Sequence, residues 1–119
     1  MKRLLVVDDN PDILEILQIA FEARGFEVLT IPDGEQTFKS VESFKPDVIL
    51  LDVFLGAVNG IDICNELKSK PGTKDISIVM FSAHSKSDDV LKLCSADAFV
   101  GKPFNIFHLT EVIEFHAKN

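Results

Sequence analysis

The chain has 119 residues, 46% of them hydrophobic, and a formal net charge of −7. That length suits one domain, residues 1–119, around a single core, and no apolar run approaches the roughly 18 residues needed to cross a membrane. The acidic balance argues against direct nucleic-acid binding.

Met1-Lys2-Arg3 followed by Leu4 to Val7 has a basic start and an apolar run. The run is too short for a signal peptide, and Asp8-Asp9 stands where a small-residue cleavage site belongs. The expected compartment is therefore cytoplasmic. Cys64 and Cys94 are isolated, with no CxxC, and are expected to be reduced and buried.

Leu4 to Val7 reads as a buried strand ending in carboxylates. Asn10-Pro11 then starts a helix, Asn as N-cap and Pro at the first position. Ile13, Leu14, Leu17 and Phe21 carry it to about Arg24, and Gly25 stops it. Phe26 to Ile31 is the second strand. Pro32-Asp33-Gly34 is a turn, and Asp33 with Gln36 resembles a capping box. A short helix carries Phe38, Val41 and Phe44 and ends before Pro46. Val48 to Leu51 is an unbroken apolar run, as in strands buried on both faces of a parallel sheet, and Asp52 follows without a polar transition. A loop leads to Gly60, with Asn59 capping a helix through Ile61, Cys64 and Leu67 that Pro71-Gly72 breaks. Ile76 to Phe81 is a strand ending in Ser82. Ser87 to Ser95 reads as a short helix, Ala98 to Gly101 as a strand before Lys102-Pro103, and Asn105 caps a last helix to about His116.

Five alternations of strand and helix predict an α/β fold with a parallel sheet covered on both faces. Right-handed crossovers and strand order 2-1-3-4-5 make it a flavodoxin-like (βα)5 domain. No repeat, linker or low-complexity tract marks a second domain.

In such a sheet, Asp8, Asp9, Asp52, Ser82 and Lys102 fall at strand ends along one edge, where open α/β sheets bind ligands. Gathered carboxylates repel one another by about 4 kcal/mol per close pair at an effective dielectric near 20. They call for a cation, and hard oxygen ligands without a His/Cys set point to Mg²⁺. An ammonium, a hydroxyl and Mg²⁺ facing a carboxylate make a cradle for a phosphoryl group on that carboxylate. Asp52 is then the nucleophile. Each residue alone has a plain structural use, as a cap, a turn former or a solvated loop residue. Five polar residues at four strand ends, each interrupting an apolar strand, are much harder to explain that way.

The chain resembles the receiver domains of two-component response regulators over nearly all its length. The matching residues are Leu5-Val6-Val7-Asp8-Asp9, Leu51-Asp52 with Asn59-Gly60, Ser82-Ala83, and Ala96-Asp97 through Phe99 to Lys102-Pro103-Phe104. The resemblance implies Asp52 as phospho-acceptor from a histidine kinase or phosphotransfer protein. It implies Asp9, Asp52 and the Phe54 backbone carbonyl as direct Mg²⁺ ligands, with Asp8 binding through water. Ser82 would bond a phosphoryl oxygen, Lys102 would pair with the phosphoryl group, and Phe99 falls at the family's switch aromatic. The Lys102–Pro103 peptide would be cis, a state open to it because Pro follows. His84, two beyond Ser82, falls where the family tunes dephosphorylation; a loop His without a role is the alternative. His108 and His116 lack partners at metal spacing and read as helix-surface residues.

Gly56 stands where the family often has Pro, Gly101 replaces a bulky residue, and the segment from Ser82 to Lys102 is slightly short. On a helical wheel of the last helix, Ile106, Leu109, Val112, Ile113 and His116 share the face expected to pack on the sheet. Phe107 and Phe115 fall outside it, beside Glu111, Glu114 and Lys118. They suggest a surface for self-association or for an output partner; a rotated helix that buries one ring is the alternative. Two other functions compete. A phosphatase-like hydrolase usually needs a second carboxylate two residues after the nucleophile, where this chain has Phe54. A phosphorylation-independent interaction module would be favoured by loss of Asp8, Asp52 or Lys102, and all three are present. A dinucleotide site lacks its glycine fingerprint.

Overall fold

The computed structural model describes residues 2–83, 90 and 92–117. Five strands form the sheet: β1 (Arg3–Val7), β2 (Glu27–Ile31), β3 (Val48–Asp52), β4 (Ser77–Ser82) and β5 (Ala98–Gly101). All neighbours are parallel, in the order β2-β1-β3-β4-β5. The helices with complete bounds are α1 (Pro11–Glu22), α2 (Thr37–Phe44), α3 (Gly60–Ser69) and α4 (Ile106–Ala117). This is the doubly wound architecture that the alternating pattern implied.

The unbroken apolar strands are explained by cores on both faces. Leu5, Val7, Ile49, Leu51, Ile78 and Met80 join α2 and α3 on one side. Leu4, Val6, Val48, Leu50, Val79, Phe81 and Val100 join α1 and α4 on the other. Alternate residues of each strand feed opposite cores, so neither face tolerates a polar interruption before the strand end.

Local chemistry fixes the element ends. The Asn10 side chain accepts from the Asp12 and Ile13 amides at 2.9 and 3.3 Å, capping α1. Gly25, at φ 89°, turns the chain back, and the Phe26 amide donates to the Phe21 carbonyl at 3.0 Å. Asp97 accepts from the Ile78 amide and from Lys68, each at 2.8 Å, and Lys68 also donates to the Ile76 carbonyl at 2.8 Å. This one carboxylate thereby ties the start of β4 to the start of β5 and the end of α3.

Four local expectations need correction or limits. Asp33 forms no capping box: its side chain accepts from the Glu35 amide at 2.8 Å and opens a 3-10 turn, Gly34–Gln36, ahead of α2. The stretch after Asp52 is more than a loop, because Phe54–Leu55 and Val58–Asn59 pair as a two-stranded antiparallel hairpin, with Gly56 at φ 67° in its turn. On α4 the buried face is rotated, taking in Thr110 and Ala117 with Leu109 and Ile113, while Val112 and His116 are half-buried. Thr110 tolerates burial because its hydroxyl donates to the Ile106 carbonyl. Finally, His84, Lys118 and residues 87–89 and 91 of the expected 87–95 helix lie outside the described residues; Val90, Lys92 and Leu93 are helical.

Candidate functional site

β1, β3, β4 and β5 end along one edge of the sheet, and their register sets the site. Val7 pairs with Leu51, Asp52 with Phe81, and Ser82 with Gly101. Asp8 follows β1, and its amide donates to the Ile31 carbonyl at 3.2 Å, so it continues the strand direction. Asp8, Asp52 and Ser82 are all buried, while Asp9 is exposed. Each of Asp8, Asp9 and Asp52 offers a carboxylate oxygen, and these oxygens lie within 4.8 Å of one another.

Lys102 reaches into this cluster. Its ammonium donates to Asp8 Oδ2 at 2.8 Å and to Asp52 Oδ2 at 3.0 Å, and lies 4.4 Å from the centre of the Phe81 ring. The lysine is held at its base by its own amide, which donates to the Ser82 carbonyl at 3.0 Å, and the Lys102–Pro103 peptide is cis. Asp8 Oδ1 accepts from the Asn10 amide at 2.8 Å, and Asp52 Oδ1 accepts from the Phe54 amide at 3.3 Å.

The electrostatics follow from burial. Desolvation raises the Asp52 pKa, the Lys102 hydrogen bond and charge lower it, the Asp8 charge raises it again, and the net direction is upward. Desolvation pulls the Lys102 pKa down, but its bonds to Asp8 and Asp52 outweigh that and leave it raised. Both groups hold protons more tightly, Asp52 chiefly because burial disfavours its charged form and Lys102 because two carboxylates outweigh its burial. Three carboxylates against one ammonium leave two negative charges, which a divalent cation would balance. The donor set thus fits Mg²⁺: hard oxygens, close together, without nitrogen or sulfur.

Gly60 also shapes this site, a role beyond the resemblance that Asn59-Gly60 carries. A Cβ at Gly60 would sit 2.0 Å from the Asp52 carbonyl oxygen and 3.1 Å from Val53 Cα. Its amide donates to the Val53 carbonyl at 2.7 Å. Helix α3 can therefore start directly against the end of β3. The signal is the pair Asn59-Gly60, in which Asn59 caps α3 and Gly60 permits the close approach. The Phe81 ring lies beneath Lys102, a placement that its position in the strand Ile76 to Phe81 does not signal.

Of the remaining sequence candidates, Phe99 is half-buried against the core on the α2/α3 side. Gly101 leaves space beside it: among the described residues, a Cβ there would meet only the Phe99 ring, at 4.0 Å. Phe107 and Phe115 are each 71% exposed on α4, and the intervening Glu111 is exposed on the same helix face. Phe115 packs edge-on to His116, with ring centres 5.1 Å apart.

The family model for the response regulator receiver domain matches residues 4–114. The chain belongs to this family. Among curated relatives, the DNA-binding response regulator MtrA of Mycolicibacterium smegmatis is 43% identical over 105 residues, covering 87% of this chain and 45% of that protein. The alkaline phosphatase synthesis transcriptional regulatory protein PhoP of Bacillus subtilis is 40% identical over 106 residues, covering 87% of this chain and 43% of that one. The receiver chain thus spans less than half the length of these relatives. The chemotaxis response regulator CheY4 of Vibrio cholerae, 24% identical, superposes with a TM-score of 0.89 over 98% of each chain, which establishes the shared fold. Among the described residues, no helix of this receiver is long and apolar enough to cross a membrane.

Proposed function

We propose that this receiver domain accepts a phosphoryl group on Asp52 from a histidine kinase or a phosphotransfer protein. The observation that carries this reading is the buried Asp52 carboxylate, sharing the Lys102 ammonium with Asp8 at 3.0 and 2.8 Å. A carboxylate held this way is a nucleophile whose counter-charge is already in place. An Asp52 oxygen attacks the phosphorus, the P–N bond to the donor imidazole breaks, and the imidazole leaves with a proton from solvent. Lys102 then pairs with a phosphoryl oxygen, and the Ser82 hydroxyl donates to another.

Asp9, Asp52 and the Phe54 carbonyl would hold Mg²⁺ directly, and Asp8 through a water. When bound, the ion would neutralise charge on the phosphoryl oxygens. Drawing Ser82 toward the phosphoryl group vacates space near Phe99, biasing that ring inward; the output is a shift between two packings. Phe107 and Phe115 are the proposed output surface. Because the donor is a signalling protein and not a solute to be turned over, the domain acts as an acceptor, with at most self-phosphorylation from small donors and autodephosphorylation. Phe54, half-exposed, gives no acid or base two residues after Asp52, which weighs against a hydrolase. The proposed compartment is the cytoplasm, where such donors work.

The test is incubation with acetyl phosphate, followed by phosphate-affinity electrophoresis. A shifted band that needs Mg²⁺ and disappears with EDTA supports the reading. Equal shift with and without Mg²⁺, or none under any condition, overturns it.

A further inference from the structure

Cys64 and Cys94 meet inside the core on the α2/α3 side of the sheet. Both are buried members of the same apolar cluster, Cys64 from the middle of α3 and Cys94 from the bend ahead of β5. The Cys94 thiol lies within hydrogen-bonding reach of Cys64. Neighbouring contacts hold the two segments together. The Asn65 side-chain amide donates to the Leu93 carbonyl at 2.8 Å, one residue along from each cysteine. The Cys94 amide and thiol both donate to the Val90 carbonyl, at 3.1 and 3.3 Å, which fixes the bend and the thiol at once.

A single buried thiol is inert and packs as a small apolar side chain. Two in contact have a chemistry that neither has alone, and these two are not equivalent. Burial, with Cys94 beside it, holds the Cys64 thiol protonated. Cys94 lies at the outer edge of the core, between the exposed Leu93 and the exposed Ser95. An oxidant therefore meets Cys94 first.

We propose that this pair is a hydroperoxide-responsive site that closes to a Cys64–Cys94 disulfide. The Cys94 sulfur attacks the terminal oxygen of the hydroperoxide, and the O–O bond breaks. An alcohol, or water from hydrogen peroxide itself, leaves with the Cys94 proton, and Cys94 becomes a sulfenic acid. The Cys64 sulfur then attacks the Cys94 sulfur, the S–O bond breaks, and the hydroxyl leaves as water with the Cys64 proton. Two thiols thus lose two electrons and two protons, and the hydroperoxide is reduced. Burial favours closure over further oxidation, because Cys64 is already beside the sulfenic acid and solvent is not. The bond tethers α3 to the segment ahead of β5. It needs no phosphoryl group, so the inference is independent of the phosphorylation reading.

The experiment treats the folded chain with hydrogen peroxide, quenches by alkylation, and reads intact mass and linked peptides. A loss of two hydrogens per chain is expected, reversed by dithiothreitol, with Cys64 and Cys94 in one cross-linked peptide. Cys64→Ala should stop at a sulfenic acid on Cys94 that dimedone traps, and Cys94→Ala should react at least about tenfold more slowly. A second measurement uses the wild type alone and does not depend on how the variants fold. In a glutathione redox buffer, the ratio of disulfide to dithiol should be at least about tenfold higher in the native chain than in concentrated urea. Thiols that survive peroxide unchanged in the folded chain, or cross-links only between chains, would overturn the proposal. So would sulfinic or sulfonic acids in place of the disulfide, or a native ratio no higher than that in urea.

Discussion

The Lys102 ammonium lies 3.0 Å from the Asp52 carboxylate across fifty residues of sequence and one intervening strand. It spans β4 over the Phe81 ring, 4.4 Å from the ring centre, so an apolar side chain supports the path of a half-buried cation. Phe81 is itself the register partner of Asp52. The sheet's parallel order thereby brings a charge at the end of β5 to a carboxylate at the end of β3.

Replacing that cation should expose the repulsion it offsets. Lys102→Met is expected to lower stability by about 2–3 kcal/mol without divalent ions, because Asp8 and Asp52 lose their shared partner. Added Mg²⁺ should recover more stability in the variant than in the wild type. Urea unfolding in EDTA and in Mg²⁺ measures both; equal midpoints for the two proteins in EDTA would contradict the role given to Lys102.

Gly60→Ala should destabilise by about 2 kcal/mol or more, since a Cβ 2.0 Å from the Asp52 carbonyl forces α3 away from β3. The same displacement should reduce phosphorylation of Asp52. Denaturant midpoints and phosphorylation yield together check it, and an unchanged midpoint would mean that the close approach is not required.

Cys64 supplies the pH dependence. Burial, with Cys94 beside it, pushes the thiol pKa up, so the folded protein keeps the proton that the unfolded chain releases above about pH 8.5. The unfolded state then binds fewer protons than the folded state. Stability from this group is therefore full below that pH and falls as pH rises, by about 1.4 kcal/mol per unit once the unfolded thiol is ionised. Comparing Cys64→Ala with wild type between pH 7.5 and about 10 should show a steeper decline in the wild type. Parallel curves would contradict it.

Phe107→Glu with Phe115→Glu should leave stability within about 0.5 kcal/mol per site, because both rings are exposed. If these rings form the output surface, the double variant should lose self-association or partner binding measured by sedimentation with beryllofluoride present. Unchanged behaviour in both assays would remove the surface from the account.

The fold was legible because its signals were long and redundant. Three apolar strands ending in polar residues, β1, β3 and β4, are buried on both faces as their unbroken runs imply, and Asn10, Gly25 and Asn59 act at the helix ends where their chemistry put them. What the sequence hid was short or dependent on tertiary contact. The hairpin at residues 54–59 rests on two paired residues per strand and a single Gly56 turn, too little for periodicity to register. The rotation of α4 depends on Thr110 satisfying its hydroxyl on its own helix, which a polarity-based wheel counts as outward. At the site, the acidic residues and the lysine were readable as strand ends. That the lysine bridges Asp8 and Asp52, and that Gly60 lets α3 approach, depend on register and on distances that no sequence pattern encodes.

The most direct test of the central claim is intact mass after incubation with acetyl phosphate and Mg²⁺, on the wild type and on Asp52→Asn. The account predicts one added phosphoryl group on the wild type, lost on hydrolysis as an acyl phosphate is, and none on Asp52→Asn. A phosphoryl group on Asp52→Asn at the wild-type yield would place the acceptor elsewhere and contradict it.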